Sequence, residues 1–268
     1  MTLAPSADSP LVSVIMPAWN AAATLAEAVA SVRAQSMSEW ELLLVVDAAT
    51  DDTLQIAQEN ARADARVRVW CNEVNLGVAA TRNRALEQAR GRYVAFLDAD
   101  DRWHPDKLAQ QCRSMRQTGC PVSYTTYRRF GAQGPLNLVV PPPIASFTGL
   151  LRGNVIGMST GMLQGELARS LRFQPIGHED YLFWLQAMRR GGVARRVPGA
   201  QPLAEYRVHA GSLSGNLWRN AGWQWAIYRR HLGLPLLRSA GLMGHYAWRA
   251  LAKRRGASGA ASAVPDAG

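Results

Sequence analysis

The chain has 268 residues, 48% of them hydrophobic, which is enough for one large α/β domain or for a domain with an appendage. It contains no unbroken apolar run of the roughly 20 residues that a membrane-spanning helix needs. Residues 1–10 lack the basic start and apolar core of a secretory signal. We therefore expect a cytoplasmic location. The net charge of +10 comes from residues 189–255, which hold 13 Lys and Arg against one acid, Glu205.

The first hundred or so residues alternate between predicted strands and predicted helices. Continuous apolar runs, typical of strands buried on both faces, lie at residues 11–17, 40–46, 67–71 and 92–98. Residues 22–33, 51–63 and 77–90 have helical composition; we expect Asn20 to cap the first of these helices and Gly91 to end the third. This alternation predicts right-handed βαβ units in a doubly wound, mostly parallel sheet.

The rest of the chain is less regular. After Pro105 we expect a helix to about residue 118, a strand at 121–130 and a turn-rich loop over GAQGPLNLVVPPP (131–143). A second structured part is expected from about residue 147 to 209, followed by a Trp-rich basic helical region. The segment ASGAASAVPDAG at the end is typical of a disordered tail.

Three polar segments follow the predicted strands. They are Pro17-Ala18-Trp19-Asn20, Asp47 and Asp98-Ala99-Asp100. In sheets of this type, ligands bind beyond the carboxyl ends of the strands. The sequence therefore predicts that these segments meet at one edge of the sheet and form a binding site there.

The Asp98-Ala99-Asp100 triplet is the first candidate for chemistry. If the chain stays extended, the two aspartates lie on the same side of it, where one can reach a ribose and the other a metal ion. Oxygen ligands of this kind suit Mg²⁺ or Mn²⁺, with diphosphate oxygens completing the shell. The alternatives are a solvated acidic turn or a helix cap before Pro105, and the triplet alone does not exclude them.

The motifs taken together resemble a known family. In chain order they are VSVIMPAWN, VVDAATDDT, NLGVAATRNRAL, FLDADDRW and GHEDYLFWL. As a set, from about Val12 to His209, they resemble inverting family 2 glycosyltransferases with the GT-A fold. GNVIGMST, HEDYLFWLQ and YRVHAGSLS carry a narrower resemblance, to non-processive bacterial enzymes of surface-polysaccharide assembly of the teichuronic and colanic acid type. The QxxRW motif of processive synthases is not apparent.

The resemblance implies an organisation for the whole chain. We predict an α/β, Rossmann-like GT-A domain, with a mostly parallel sheet flanked by helices, and a C-terminal helical extension. The predicted parts are a flexible N-terminus (1–10), a catalytic domain (11–212) with a nucleotide-binding half (11–104) and an acceptor-binding half (105–212), a basic Trp-rich helical region (213–255) and a disordered tail (256–268).

The resemblance also implies a donor site for a nucleotide-sugar, with a UDP-sugar favoured. Its residues would be Pro17, Ala18, Trp19, Asn20, Asp47, Arg82, Asp98, Ala99 and Asp100. Trp19 would stack on the base, although a buried tryptophan at a strand end is an alternative. Asp47 would accept a hydrogen bond from the base, and Arg82 would lie near the base and phosphates or else pair with Glu87 on its own helix.

Asp98 would then contact the ribose, and Asp100 would bind Mn²⁺ or Mg²⁺ together with His209. The sequence departs from the VDDGS pattern of the family at Val46 and at residues 48–49, which bears on the choice of base.

The catalytic acids implied by the resemblance are Glu179 and Asp180. Asp180 would be the general base that takes the proton from the acceptor hydroxyl, and Glu179 would position it or the acceptor. One base and a single displacement invert the anomeric centre. From the residues alone, acids at a helix start would be explained by the helix dipole.

The C-terminal region interleaves tryptophan and tyrosine with arginine and lysine, a pattern that suits an anionic bilayer surface. The resemblance implies a polyprenyl-diphosphate-linked glycan as acceptor, so peripheral attachment to the inner face of the cell membrane is one expectation. Packing of this region on the domain is the other. We expect no nucleic-acid partner, because no nucleic-acid motif accompanies the charge. A nucleotide-sugar-binding protein without transferase activity is the alternative function.

Overall fold

The computed structural model describes residues 10–208 and 217–260 of the chain. The strands are β1 (Val12–Ala18), β2 (Trp40–Asp47), β3 (Val67–Asn72), β4 (Tyr93–Phe96), β5 (Arg102–Trp103), β6 (Val122–Tyr124), β7 (Tyr127–Gly131), β8 (Gly134–Val139), β9 (Ile144–Ser146), β10 (Met162–Gln164), β11 (Val193–Arg196) and β12 (Ala204–Arg207).

The helices are α1 (Leu25–Arg33), α2 (Thr53–Ala63), α3 (Val78–Glu87), α4 (Lys107–Thr118), α5 (Phe147–Leu150), α6 (Gly165–Arg169), α7 (Glu179–Gly191), α8 (Leu217–Ala226) and α9 (Leu236–Ala260).

The main sheet has eight strands in the order β3-β2-β1-β4-β10-β6-β11-β9. Strands β1 to β4 pair in parallel, which confirms the predicted parallel half. Strand β10 runs antiparallel to both of its neighbours, β4 and β6. Because β1 alternates its side chains between the two faces, Ile15 joins one hydrophobic core, and Val14 and Met16 join the other.

A smaller sheet has four strands in the order β5-β12-β7-β8. It corrects two predictions. The expected strand at 121–130 is two strands, β6 in the main sheet and β7 in the small one. The expected loop at 131–143 contains β8, which forms an antiparallel hairpin with β7 through a turn at Gly134, whose φ of +109° favours glycine.

Two predicted helix signals act differently in the structure. Asn20 does not cap α1, which begins after Thr24; its side-chain oxygen accepts a hydrogen bond from the backbone N–H of Thr50 (2.8 Å). Gly91 does not end α3, which stops at Glu87. A Cβ at Gly91 would lie 2.5 Å from the backbone nitrogen of Ser13, so glycine is needed there for close approach to β1.

The C-terminal helices pack on the domain. Ile227, Tyr228, Leu232 and Leu234 belong to one of the two hydrophobic cores, and the Tyr228 hydroxyl donates to the carbonyl oxygen of Leu151 (2.5 Å). Helix α9 runs from Leu236 to Ala260 and so includes residues 256–260 of the predicted tail. In the part of the chain that the structure describes, no helix is both long and apolar enough to cross a membrane.

Candidate active site

The carboxyl ends of β1, β2 and β4 open into a cleft of about 980 Å³. All of the residues predicted for the donor site line it: Pro17, Ala18, Trp19, Asn20, Asp47, Arg82, Asp98, Ala99 and Asp100. The expectation that the polar segments meet at one edge of the sheet is therefore confirmed in geometry. What these residues bind stays a prediction. We call this space the first cleft.

Trp19 lies at the mouth of the first cleft with 59% of its surface exposed. The alternative of a buried tryptophan at the strand end is therefore wrong. Beside it, Asn20 adopts a left-handed backbone conformation (φ 47°) and is held by its hydrogen bond to Thr50. An exposed indole on a tethered loop is available for stacking.

Asp47 is buried at the end of β2 and is already hydrogen-bonded. One carboxylate oxygen accepts from the backbone N–H of Leu76 (2.9 Å) and from the Asn72 amide (2.6 Å), and the other accepts from the backbone N–H of Gly77 (2.8 Å). Burial acts to raise the pKa of Asp47, but these hydrogen bonds hold the pKa below its ordinary value. Asp47 therefore fixes the turn that leads into α3.

The Asp98-Ala99-Asp100 triplet forms a turn rather than an extended segment. Strand β4 ends at Phe96, and the backbone N–H of Asp101 donates to the carbonyl oxygen of Asp98 (3.1 Å). The strand-alternation reason for placing Asp98 and Asp100 on one side is therefore wrong. Both residues nevertheless line the first cleft, because the turn directs them there.

Asp101 points into the protein and anchors this turn. It accepts hydrogen bonds from the Ser159 hydroxyl (2.5 Å) and from the backbone N–H of Arg207 (2.8 Å). Burial, with Asp98 and Asp100 nearby, raises the pKa of Asp101 well above its ordinary value. Ser159 also accepts from the backbone N–H of Asp98 (3.1 Å), so one hydroxyl links both ends of the acidic turn.

Arg82 links Asp98 in the first cleft to Glu179 at the start of α7. Its guanidinium donates to Asp98 (2.6 Å) and to Glu179 (2.8 Å), and its side chain is only 5% exposed. The alternative pairing with Glu87 is wrong, since Glu87 pairs with Arg172. Burial acts to lower the pKa of Arg82, but the two carboxylates and the nearby Asp180 keep it raised.

Asp180 lies in the first turn of α7, as predicted, and accepts a hydrogen bond from the Asn154 amide (3.2 Å). Burial and then the neighbouring Glu179 raise the pKa of Asp180, whereas Arg82 acts to lower it. A raised pKa suits a group that must take up a proton during the reaction.

The turn before α7 is held by the C-terminal extension. His178 has a left-handed backbone conformation (φ 60°), and its ring meets the Trp223 indole edge-on at 5.3 Å. A Cβ at Gly177 would lie 1.9 Å from the same indole. Trp223 therefore determines how closely α8 approaches the acids of α7.

A second cleft, of about 570 Å³, lies next to the first. Tyr206 of β12 lines both clefts, and Asn154 and Ser159 line the second. Burial raises the pKa of Tyr206 to about 12, and the charges of Asp101, Asp98 and Asp100 add to the effect. Asn154 lines the second cleft and donates a hydrogen bond to Asp180, so Asp180 lies close to this cleft.

Sequence reasoning gave no role to Asn154, Ser159 or Tyr206. Asn154 and Ser159 lie in GNVIGMST. An amide and a hydroxyl in this glycine-containing segment are the signal that the sequence offers for them. The proposed metal ligand His209 lies outside the described residues, as does most of the predicted flexible N-terminus. In residues 10–208 and 217–260, no three His, Cys, Asp or Glu side chains group to hold a metal unaided.

Comparison with known proteins places this site in context. The sequence profile described as "Glycosyl transferase family 2" matches residues 13–163. The chain is 37% identical over 248 residues to the "Putative teichuronic acid biosynthesis glycosyltransferase TuaG" of Bacillus subtilis, which spans 91% of this chain and 98% of that protein. It is 32% identical over 231 residues to the "UDP-Glc:alpha-D-GlcNAc-diphosphoundecaprenol beta-1,3-glucosyltransferase WfgD" of Escherichia coli, which spans 86% and 90%.

Two solved structures share the architecture. S. aureus TarS 1-349 in complex with UDP superposes with a TM-score of 0.66 at 21% identity, over 87% of this chain and 69% of that one. The mannosyltransferase PcManGT from Pyrobaculum calidifontis, in complex with GDP-Man and Mn²⁺, gives 0.65 at 20% identity, over 97% and 77%. At these identities the likeness concerns the fold.

Proposed function

The chain belongs to glycosyl transferase family 2 and has the GT-A fold, and from that premise we propose its donor, acceptor and mechanism. It moves a sugar from a nucleoside-diphospho-sugar, with a UDP-sugar favoured, to a hydroxyl of a polyprenyl-diphosphate-linked saccharide, with inversion, in surface-polysaccharide synthesis. The observation that carries the proposal is Arg82, which ties Asp98 of the donor cleft to Glu179 beside Asp180.

The donor half of the proposal rests on the first cleft. The exposed indole of Trp19 stacks on the base, and Asp98, held by Arg82, accepts from the ribose. UDP is favoured because WfgD is named for UDP-Glc and TarS was solved with UDP. Asp47 shapes this end of the cleft through the turn at residues 72–77. The predicted contact with the base would use the carboxylate oxygen that accepts from the backbone N–H of Gly77.

A divalent cation, Mn²⁺ or Mg²⁺, fits the diphosphate end of the first cleft. Asp100 is half-buried there in the field of two more aspartates, a surrounding that attracts a cation. Asp100 would hold the ion together with donor diphosphate oxygens and His209. When bound, it stabilises the negative charge that develops on the leaving nucleoside diphosphate.

The acceptor half of the proposal rests on Asp180. Its carboxylate takes the proton of the acceptor hydroxyl while that oxygen bonds to the anomeric carbon. The bond from this carbon to the diphosphate oxygen breaks, and its electron pair leaves with the nucleoside diphosphate. Burial and Glu179 raise the pKa of Asp180 and so make it a stronger base than an exposed aspartate. A single displacement inverts the anomeric centre.

The test is nucleoside diphosphate release from UDP-, GDP- and dTDP-sugars, with Mn²⁺ or with EDTA, in the presence of a GlcNAc-diphosphoryl-lipid acceptor. Asp180→Asn should lower turnover by about 10²–10⁴-fold, and Asp100→Ala should abolish stimulation by metal. Asp106→Asn, an exposed acid remote from both clefts, is the matched control. Full activity of both site variants would refute the mechanism, and a product with the donor's anomeric configuration would refute inversion.

Peripheral attachment to the inner face of the membrane is the remaining part of the proposal. Near the start of α9, Leu237 is 88% exposed beside the exposed Arg238, and Trp248 is exposed further along the helix. Apolar and basic side chains together suit an anionic bilayer. Co-sedimentation with anionic vesicles should fall with added salt and in Leu237→Ser; equal recovery with zwitterionic vesicles at low salt would contradict the proposal.

A further inference from the structure

The second cleft has an arginine among the residues that line it. Arg129 of β7 lines it, and its Nε atom is buried without a hydrogen bond. Among the described residues, 10–208 and 217–260, we find no hydrogen bond or ion pair for this guanidinium. A buried N–H donor without an acceptor is costly. An anion supplied by a ligand would remove that cost.

The position of Arg129 follows from strand register. Tyr206 of β12 lies directly beside Arg129 of β7 in the parallel pair, so both side chains are on the same face of the small sheet. Tyr206 also lines the first cleft. Arg129 therefore lies across Tyr206 from the donor site, on the side from which Asn154 contacts Asp180.

The charge of Arg129 is not cancelled by the acid that shares this cleft. Glu205 contributes to the lining, but its carboxylate pairs with Arg102. Glu205 and Arg128 are register partners on the opposite face of the small sheet. The second cleft thus offers a guanidinium that no described residue pairs with, a group whose planar donors match phosphate oxygens.

The outer wall of the second cleft is apolar. It is formed by Val139, Val140, Pro141 and Pro142. Leu138 and Ile144, which flank this segment in the chain, are exposed at 43% and 49%. A cation beside an exposed apolar wall suits an anion that carries a hydrocarbon chain better than it suits a free anion.

We propose that Arg129 is a specificity-determining residue that binds the diphosphate of the lipid-linked acceptor, with the start of the lipid chain against the Val139–Pro142 wall. The inference rests on the proposed function, because it assigns the acceptor side of the same site. An acceptor held there by its diphosphate presents its sugar toward Asn154 and Asp180. Arg129 selects diphosphate-linked acceptors over neutral glycosides and takes no part in proton transfer.

The test measures binding of decyl diphosphate to the full chain, with the first cleft saturated by UDP and Mn²⁺. Arg129→Gln should weaken this binding at least tenfold and leave the affinity for UDP unchanged, and Arg129→Lys should retain part of it. Arg128→Gln, which removes the same charge from the opposite face, is the control and should stay within twofold of wild type. Inorganic pyrophosphate should bind more weakly than decyl diphosphate.

A kinetic experiment adds a second readout. With an α-GlcNAc-diphosphoryl-decyl acceptor, Arg129→Gln should raise the acceptor KM at least tenfold with little change in kcat, whereas a neutral decyl α-GlcNAc glycoside should show no change. Equal effects on both acceptors, equal effects of Arg128→Gln, or a loss of UDP affinity in Arg129→Gln would overturn the inference. Failure of the wild-type chain to bind UDP or transfer sugar would instead overturn the proposed function.

Discussion

Arg82 is the residue whose removal should be most informative. Replacement by methionine keeps the apolar stem and removes the cation that lies between Asp98 and Glu179. The two carboxylates would then face each other and Asp180 without a neutralising charge. We expect effects both on stability and on the pH dependence of the reaction.

The expected loss of stability follows from burial. Breaking a buried ion pair by removing one partner costs about 3–5 kcal/mol. The carboxylates of Asp98 and Glu179 are 28% and 20% exposed and keep some hydration, so we expect the lower end, about 3 kcal/mol. At the ~2–4 °C per kcal/mol typical of chains of 150–250 residues, Arg82→Met should lower Tm by roughly 6–12 °C.

The expected change with pH follows from Asp180. Arg82 acts to lower the pKa of Asp180, so its removal raises that pKa further. Since the base must be ionised to take a proton, the acidic limb of the kcat profile should move to higher pH in Arg82→Met. A purely structural role for Arg82 would lower Tm and leave this limb in place.

The measurements are thermal unfolding and kcat against pH, with Arg92→Met as control. Arg92 is an exposed arginine just before β4, and its loss changes the net charge equally. The reasoning would be refuted if Arg82→Met unfolded within 2 °C of Arg92→Met and kept the wild-type pH profile.

Three further predictions concern buried groups. Burial lowers the pKa of Lys107 well below its ordinary value, so between the lowered pKa and about 10.4 the unfolded chain binds more protons than the native state. As pH rises through that window, the free energy of unfolding of the wild type should therefore increase relative to that of Lys107→Met. A difference that stays constant with pH in urea unfolding would contradict this. Ser159→Ala leaves the buried Asp101 with one donor fewer and should cost about 1–3 kcal/mol in chemical denaturation; an unchanged midpoint would show that the hydroxyl is dispensable. Gly177→Ala places a methyl group against Trp223, and the overpacking should cost about 1–3 kcal/mol and reduce kcat; wild-type Tm and kcat would argue against tight packing of α8.

The parallel half of the sheet was predictable because its strands are continuous apolar runs. Seven residues of β1 and eight of β2 are almost wholly buried, and such strands leave a strong signal in the sequence. Strand β8 left none, since Pro135 to Leu138 are exposed and do not alternate. The glycines at 131 and 134 favour a turn, but they do not show that a strand follows it.

The residues that line the first cleft were predictable, but their contacts with one another were not. Strand ends bring Trp19, Asp47 and Asp98 to one edge whatever the details of packing. The partners of Arg82 lie 16 and 97 positions away, and no local pattern relates residues at such distances. The same holds for Ser159, which reaches Asp101 from 58 positions away.

The anchoring of the C-terminal extension sets a lower limit on how far this enzyme can be shortened. A chain cut at the predicted domain limit, residue 212, would lose the Trp223 indole that covers Gly177 and the hydroxyl that satisfies the Leu151 carbonyl. It would also uncover the core where Ile227 and Leu234 now pack. We therefore expect truncated versions for crystallisation or fusion to need the residues up to at least Leu234.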